Sequence, residues 1–117
     1  QSLNGNLKGS SVFSEENTQL KMDDIEIVSA SVVIDQTSKE NIKIKFKNAN
    51  LYKIDSSSRM NIGKANKIEL FPSKDLILLG GKAEFYEDNM KIISEEIHYD
   101  LKKNTVIKSI NATIINS

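Results

Sequence analysis

Residues 60–114 carry one pattern written twice, and that duplication limits what the chain can fold into more than any other feature. MNIGKANKIELFPSKDLILLGGKAEF (Met60–Phe85) is followed by MKIISEEIHYDLKKNTVIKSINATI (Met90–Ile114). With one residue of slippage, Met60 and Ile62 align with Met90 and Ile92, and Ile68 and Leu70 with Ile97 and Tyr99. Further on, Ile77 aligns with Val106, and Ala83 and Phe85 with Ala112 and Ile114. Each copy reads as two short alternating strands, a polar turn (Pro72–Asp75; Leu101–Asn104) and two more strands. A unit of roughly 30 residues built only from strands and turns cannot bury its own apolar face, so neighbouring units must stack. The expectation is a continuous all-β architecture.

The rest of the chain agrees. Ile42, Ile44 and Phe46 alternate with Lys43, Lys45 and Lys47, the period of a half-buried strand. The phase then shifts, because Ala49 and Leu51 are the next apolar positions, which predicts a bulge or corner near Asn48. Upstream, Leu20, Met22, Ile25, Ile27, Ala30, Val32 and Ile34 form a weaker β-branched run, and Gln36–Asn41 reads as a turn. Asp55–Ser58 and Glu87–Asn89 are further turns, and Gly80-Gly81 predicts a sharp bend. Residues 1–10 read as a flexible arm, and residues 11–117 as one domain. The chain opens at Gln1 and not at Met, so upstream sequence is expected to have been removed, whether a signal peptide, a membrane anchor or a cloning remnant.

Charge and residue inventory exclude several functions. Sixteen basic and sixteen acidic residues cancel, and the lysines lie scattered, without the basic stripe that nucleic-acid binding needs. No basic cluster marks a phosphate site, although Lys43 or Lys82 could contribute at a groove mouth. Arg59 is the single arginine and suggests no function. Cysteine is absent, so the fold stands without disulfides. His98, the sole histidine, falls on the solvent side of its strand and has no partner with which to complete a metal site. Asp23-Asp24 and Glu95-Glu96 read as surface charge, since adjacent strand residues face opposite ways. Asn111-Ala112-Thr113 matches a glycosylation acceptor but is read as an ordinary strand. No catalytic residue, metal site or cofactor is predicted, and the chain reads as a non-enzyme.

Alternation gives a predicted inward-facing set: Ile42, Ile44, Phe46, Leu51, Met60, Ile62, Ile68, Leu70, Leu76, Leu78, Phe85, Met90, Ile92, Ile97, Tyr99, Val106 and Ile114. Periodicity alone favours a closed sandwich core, as in a structural or adhesin-type module. The other reading is an apolar groove between facing sheets that accepts acyl chains.

Specific phrases carry a family likeness. Leu78-Leu79-Gly80, Ala83–Tyr86, Met90–Ile92 and Ile97-His98-Tyr99-Asp100 resemble the recurring phrases of the OstA-like lipopolysaccharide-transport family, with Ala49 and Ala65 at its small-residue position. The likeness covers residues 42–115, and Ala49–Asp55 leans it toward the LptC branch, with LptA close behind. It implies a twisted, V-shaped β-jellyroll of two antiparallel sheets whose apolar interior, the set above, shields lipopolysaccharide acyl chains. It further implies a periplasmic location, docking to other OstA-like proteins or a second copy by β-strand addition, and inner-membrane attachment only through an N-terminal anchor outside this chain.

Overall fold

The chain's structure, a computed structural model, describes residues 11–14, 18–36, 38 and 40–116. The arm expected over residues 1–10 lies outside the described residues. The strands are β1 (Ser11–Ser14), β2 (Thr18–Met22), β3 (Ile25–Gln36), β4 (Ile42–Ile54), β5 (Arg59–Phe71), β6 (Leu76–Glu87), β7 (Met90–Asp100), β8 (Thr105–Ile110) and β9 (Thr113–Asn116), with a 3₁₀ turn at Pro72–Lys74. They form one nine-stranded antiparallel sheet in the order β1-β3-β4-β5-β6-β7-β8, with β2 also on β3 and β9 also on β7.

The pairs of short strands expected within each repeat are mostly single long strands bent in the middle. The inward parity changes part-way along. In β3 it passes from Ile25, Ile27 and Ser29 to Val32 and Ile34; in β4 from Ile44 and Phe46 to Ala49 and Leu51. In β5 it passes from Ala65 to Ile68 and Leu70, and in β7 from Ser94 to Ile97 and Tyr99. One residue is skipped at each change, so the strand turns a corner while keeping the same face inward. The skipped positions, Ala30, Asn48, Asn66 and Glu95, are all exposed. In β6 the corner is Gly81-Lys82, where the register shifts against both neighbours; between β8 and β9 it is Asn111. The corners expected at Asn48 and Gly80-Gly81 are therefore present, and they line up across the sheet. The result is one open sheet folded along that line into a V, where the sequence suggests two sheets.

Inside the fold line lies a row of small buried residues, Ser29, Ala49, Ala65, Ala83 and Ser94. Larger side chains would hold the arms apart where they converge. The two serines carry out the same task on different strands. Ser29 Oγ contacts Ser31 O and Lys47 O at 2.7 Å each and accepts from Ser31 N at 3.2 Å. Ser94 Oγ contacts Glu96 O at 2.9 Å and Ile110 O at 2.5 Å, and accepts from Glu96 N at 3.3 Å and Ile110 N at 3.1 Å. Each hydroxyl thus satisfies backbone groups that the corner removes from the ladder.

The repeat is visible in the backbone. Asp75 in one turn and Asn104 in the next, and Lys82 and Asn111 at the corners, share the left-handed conformation with φ of 50–55°. Both pairs are separated by the interval that carries Ile77 to Val106.

Candidate functional site

The inner face of the V is the candidate site. Its rows follow from the register. Val32, Phe46, Ile68, Leu79 and Ile97 stand side by side, as do Ile34, Ile44, Leu70, Ile77 and Tyr99. The members of the first row are fully buried. On the other arm Leu20, Ile27, Leu51, Gly63 and Phe85 make a third row, continued by Ile92 and Ile114. A Cβ on Gly63 would come within 3.0 Å of Glu84 O and 3.2 Å of Leu79 Cδ2, so glycine there lets the arms approach. Phe85 and Tyr99, on opposite arms, meet with ring centroids 5.4 Å apart. Burial pushes the Tyr99 hydroxyl up to about 12, and Asp24, Glu87 and Asp100 push in the same direction. Asp24, in the β2–β3 turn, and Glu87, at the end of β6, lie at the tip of the arm that carries Phe85, opposite the arm of Tyr99.

Of the predicted inward set, Ile44, Phe46, Leu51, Ile62, Ile68, Leu70, Phe85, Ile97 and Tyr99 are buried in this core. Ile42, Ile92 and Val106 pack against it half-buried, and Met90 is also half-buried. Two assignments are corrected. Leu76 and Leu78 point outward, and Ile77 and Leu79 fill the core instead. The run Leu76–Leu79 has no alternation of its own, so its facing is set by neighbours: Ile77 lies between Leu70 and Tyr99, and Leu79 between Ile68 and Ile97. Met60 and Ile114 share inner-face rows but are 59% and 58% exposed, because they lie at the tip and edge where no opposing arm covers them. The set also lacked Ile25, Ile27, Val32, Ile34, Ala49, Ala65 and Ala83, all buried. The skipped residue at Ala30 hid the first four, and small size hid the alanines.

The open margin of the V is largely apolar, interrupted by Lys53 between Ile25 and Met60 and by Glu87 beside Met90. Half-buried Leu20, Met22 and Ile92 lead out to Met60 and Ile114. The β8–β9 edge exposes Ile107, Ile110 and Ile115 as well, and its outer side carries no strand among the described residues.

The outer face is polar. Glu26 is fully buried there, its Oε1 accepting from Arg59 Nε at 2.6 Å while the guanidinium stacks 3.8 Å from the Tyr52 ring centroid. Its Oε2 has no hydrogen-bond partner among the described residues. His98 faces outward and its Nε2 lies 2.6 Å from Glu96 Oε2. Lys43 pairs with Glu69 at 3.6 Å on the outer face, so neither it nor Lys82, at the outer corner, belongs to the trough mouth. The lysines are less scattered than the sequence suggests: the corner gathers Lys47 (β4), Lys64 and Lys67 (β5) and Lys82 (β6). Among the described residues no group of three His, Cys, Asp or Glu is placed to hold a metal, and no helix is long and apolar enough to cross a membrane.

A single folded antiparallel sheet with an apolar inner face, small residues along its crease and edges that carry no further strand among the described residues defines the V-shaped jellyroll of lipopolysaccharide-transport domains. The chain belongs to the family described as LptA/(LptD N-terminal domain) LPS transport protein, whose model matches residues 2–105. These are transport proteins and not enzymes. Among solved structures, the crystal structure of LptH, the LptA-homologous periplasmic component of the conserved lipopolysaccharide transport device of Pseudomonas aeruginosa, superposes with a TM-score of 0.75. It covers 97% of this chain and 89% of its own at 10% identity, a likeness of fold. Both likenesses are to LptA-type domains, where the sequence alone leans to LptC. No curated protein sequence matches the chain.

Proposed function

We propose that this chain is a segment of a periplasmic lipopolysaccharide carrier, in which the inner face of the V shields acyl chains and the sheet edges dock neighbouring transport domains by strand addition. The observation that carries the reading is the continuity of the apolar inner rows from a closed core to an uncovered margin. Phe85 is buried, Ile92 half-buried and Ile114 exposed along one row. An acyl chain laid along the row from Phe85 through Ile92 to Ile114 meets apolar side chains, with Lys53 beside Met60 at the tip, and each methylene removed from water contributes ~0.8 kcal/mol. Met60 and Met22, unbranched and polarizable, suit a cargo whose chains vary in length. The exposed isoleucines of the β8–β9 edge suit an incoming strand, whose main chain would satisfy the edge's open donors and acceptors.

Native mass spectrometry with and without lipopolysaccharide tests the carrier reading. A stoichiometric adduct is expected, weakened by Met60→Glu and by Ile114→Glu while the thermal midpoint stays unchanged, because both side chains are exposed. A bare protein, or an adduct indifferent to both substitutions, would favour a closed structural module. For docking, Ile107→Lys with Ile115→Lys should abolish association with a partner domain in sedimentation experiments; unchanged association would exclude this edge.

A further inference from the structure

The outer side of the crease holds a pocket of about 320 Å³ lined by Asn48, Asn50, Lys64, Asn66, Lys82 and Glu84, with Ala49 and Ala65 at its floor. It lies on the opposite face of the sheet from the trough. Glu84 is its one carboxylate. Burial works against its charge, but the Tyr86 hydroxyl at 2.8 Å and the nearby Lys91 and Lys64 hold it below the usual carboxylate range. Lys82 forms no ion pair among the described residues, and neither do Lys47 and Lys67, which stand directly opposite one another beside the pocket. Like charges in that position are unfavourable in an empty site. The side-chain amides of Asn48 and Asn66 also lack hydrogen-bond partners among the described residues, whereas Asn50 accepts from Asn61.

The backbone singles out Lys82. Of the described non-glycine residues with positive φ, Asp23, Asn48, Asp75, Asp88, Asn104 and Asn111 are Asp or Asn, the types that tolerate this region; Lys82, at φ 55°, is the exception. The equivalent corner of the next repeat uses Asn111. Strained positions held by an unsuited residue concentrate where a side chain is used. Gly81 completes the cradle: a Cβ there would lie 3.1 Å from Asn66 Cβ and displace it.

We propose that this corner pocket binds an anionic sugar, a saccharide unit bearing phosphate. Two free amides and an ionised carboxylate suit vicinal hydroxyls, which need donors and acceptors together. The uncompensated lysines suit the phosphate, with Lys82 the lining lysine that has no ion pair among the described residues. The site is independent of the trough.

The test is a titration of the ¹⁵N-labelled chain with glucose 1-phosphate, with glucose and inorganic phosphate as controls, followed by NMR. Saturable shifts at Asn48, Asn66 and Lys82 are expected in the millimolar range, with each control at least tenfold weaker. Lys82→Gly should weaken binding about tenfold, the effect of one charge-assisted hydrogen bond, without lowering the thermal midpoint, because glycine relieves the left-handed strain. Asn66→Ala should weaken binding as well. Inorganic phosphate binding as well as the sugar phosphate would overturn the proposal in favour of a plain cationic patch. So would the absence of saturable shifts up to roughly 10 mM, or Lys82→Gly binding like the wild type. Deacylated lipopolysaccharide added as a competitor separates the sources: displacement assigns the sugar to the transported lipid, and its failure assigns it to a soluble sugar phosphate. A chain that takes up no lipid yet binds glucose 1-phosphate here would sink the carrier reading and leave the corner site standing.

Discussion

Ser94→Ala measures how much the corner depends on its hydroxyl. The side chain is 4% exposed and sits in a row whose other members include Ala49, Ala65 and Ala83, so alanine fits without cavity or clash. What disappears is the Oγ that accepts from Glu96 N at 3.3 Å and Ile110 N at 3.1 Å and reaches the carbonyls of the same residues. Ile110 is on the exposed edge, and water can replace its partner; Glu96 N lies further in. One poorly satisfied buried donor costs about 1–3 kcal/mol and one hydrated bond about 0.5–1 kcal/mol, so a loss of about 1.5–4 kcal/mol is expected. For a domain of this size each kcal/mol lowers the midpoint by about 4 °C, giving a fall of roughly 6–16 °C. Urea unfolding followed by far-ultraviolet circular dichroism should show a lower midpoint with an unchanged slope. Ser29→Ala, whose partners Ser31 and Lys47 are in the middle of the sheet, should cost at least as much. Losses below about 0.5 kcal/mol in both variants would refute the reasoning and show that packing along the crease is enough to bend the strands.

Leu79→Ala should cost about 2–5 kcal/mol by leaving a cavity, and Leu78→Ala less than about 1 kcal/mol, because only Leu79 is in the core; equal losses would reverse the facing of β6. Arg59→Ala strands the buried Glu26 carboxylate and should cost about 3–5 kcal/mol, while Arg59→Ala with Glu26→Gln recovers much of it, as a chemical-denaturation double-mutant cycle will show. Tyr86 and Tyr99 are both raised to about 12, chiefly by burial. Their protonated forms are favoured in the folded state, so this contribution is complete below pH ~10 and is lost as pH rises toward ~12. Tyr99→Phe with Tyr86→Phe should flatten the alkaline fall in stability, measured by unfolding at stepped pH alongside absorbance of the phenolate.

The strand class, the turns and the corner at Asn48 could be read directly because alternation and turn residues are local signals. Asp55 shows how local: its carboxylate accepts from the backbones of Ser57 and Ser58 at 3.0 and 2.8 Å, within the turn that the composition marked. Facing was readable only where alternation existed. Alternation sets the facing of Ile42–Phe46, whereas in Leu76–Leu79 every residue is apolar and the facing is set by strands far along the chain. The joining of short segments into long bent strands was also hidden, because a skipped residue looks like the end of a strand. The corner cluster was beyond reach for a related reason. Lys47, Lys67 and Lys82 are distant in sequence, and only the pairing of β4 with β5 and β5 with β6 brings their positions together.

The regular spacing of left-handed residues, from Asp75 to Asn104 and from Lys82 to Asn111, means that turn and corner travel together within one hairpin-sized unit. Such a unit can be gained or lost by duplication or deletion without disturbing the crease, since each hairpin brings its own bend and its own share of the inner rows. The length of the trough is then set by how many such units the reading frame encodes: each added or deleted hairpin would lengthen or shorten the molecule while its cross-section stays constant.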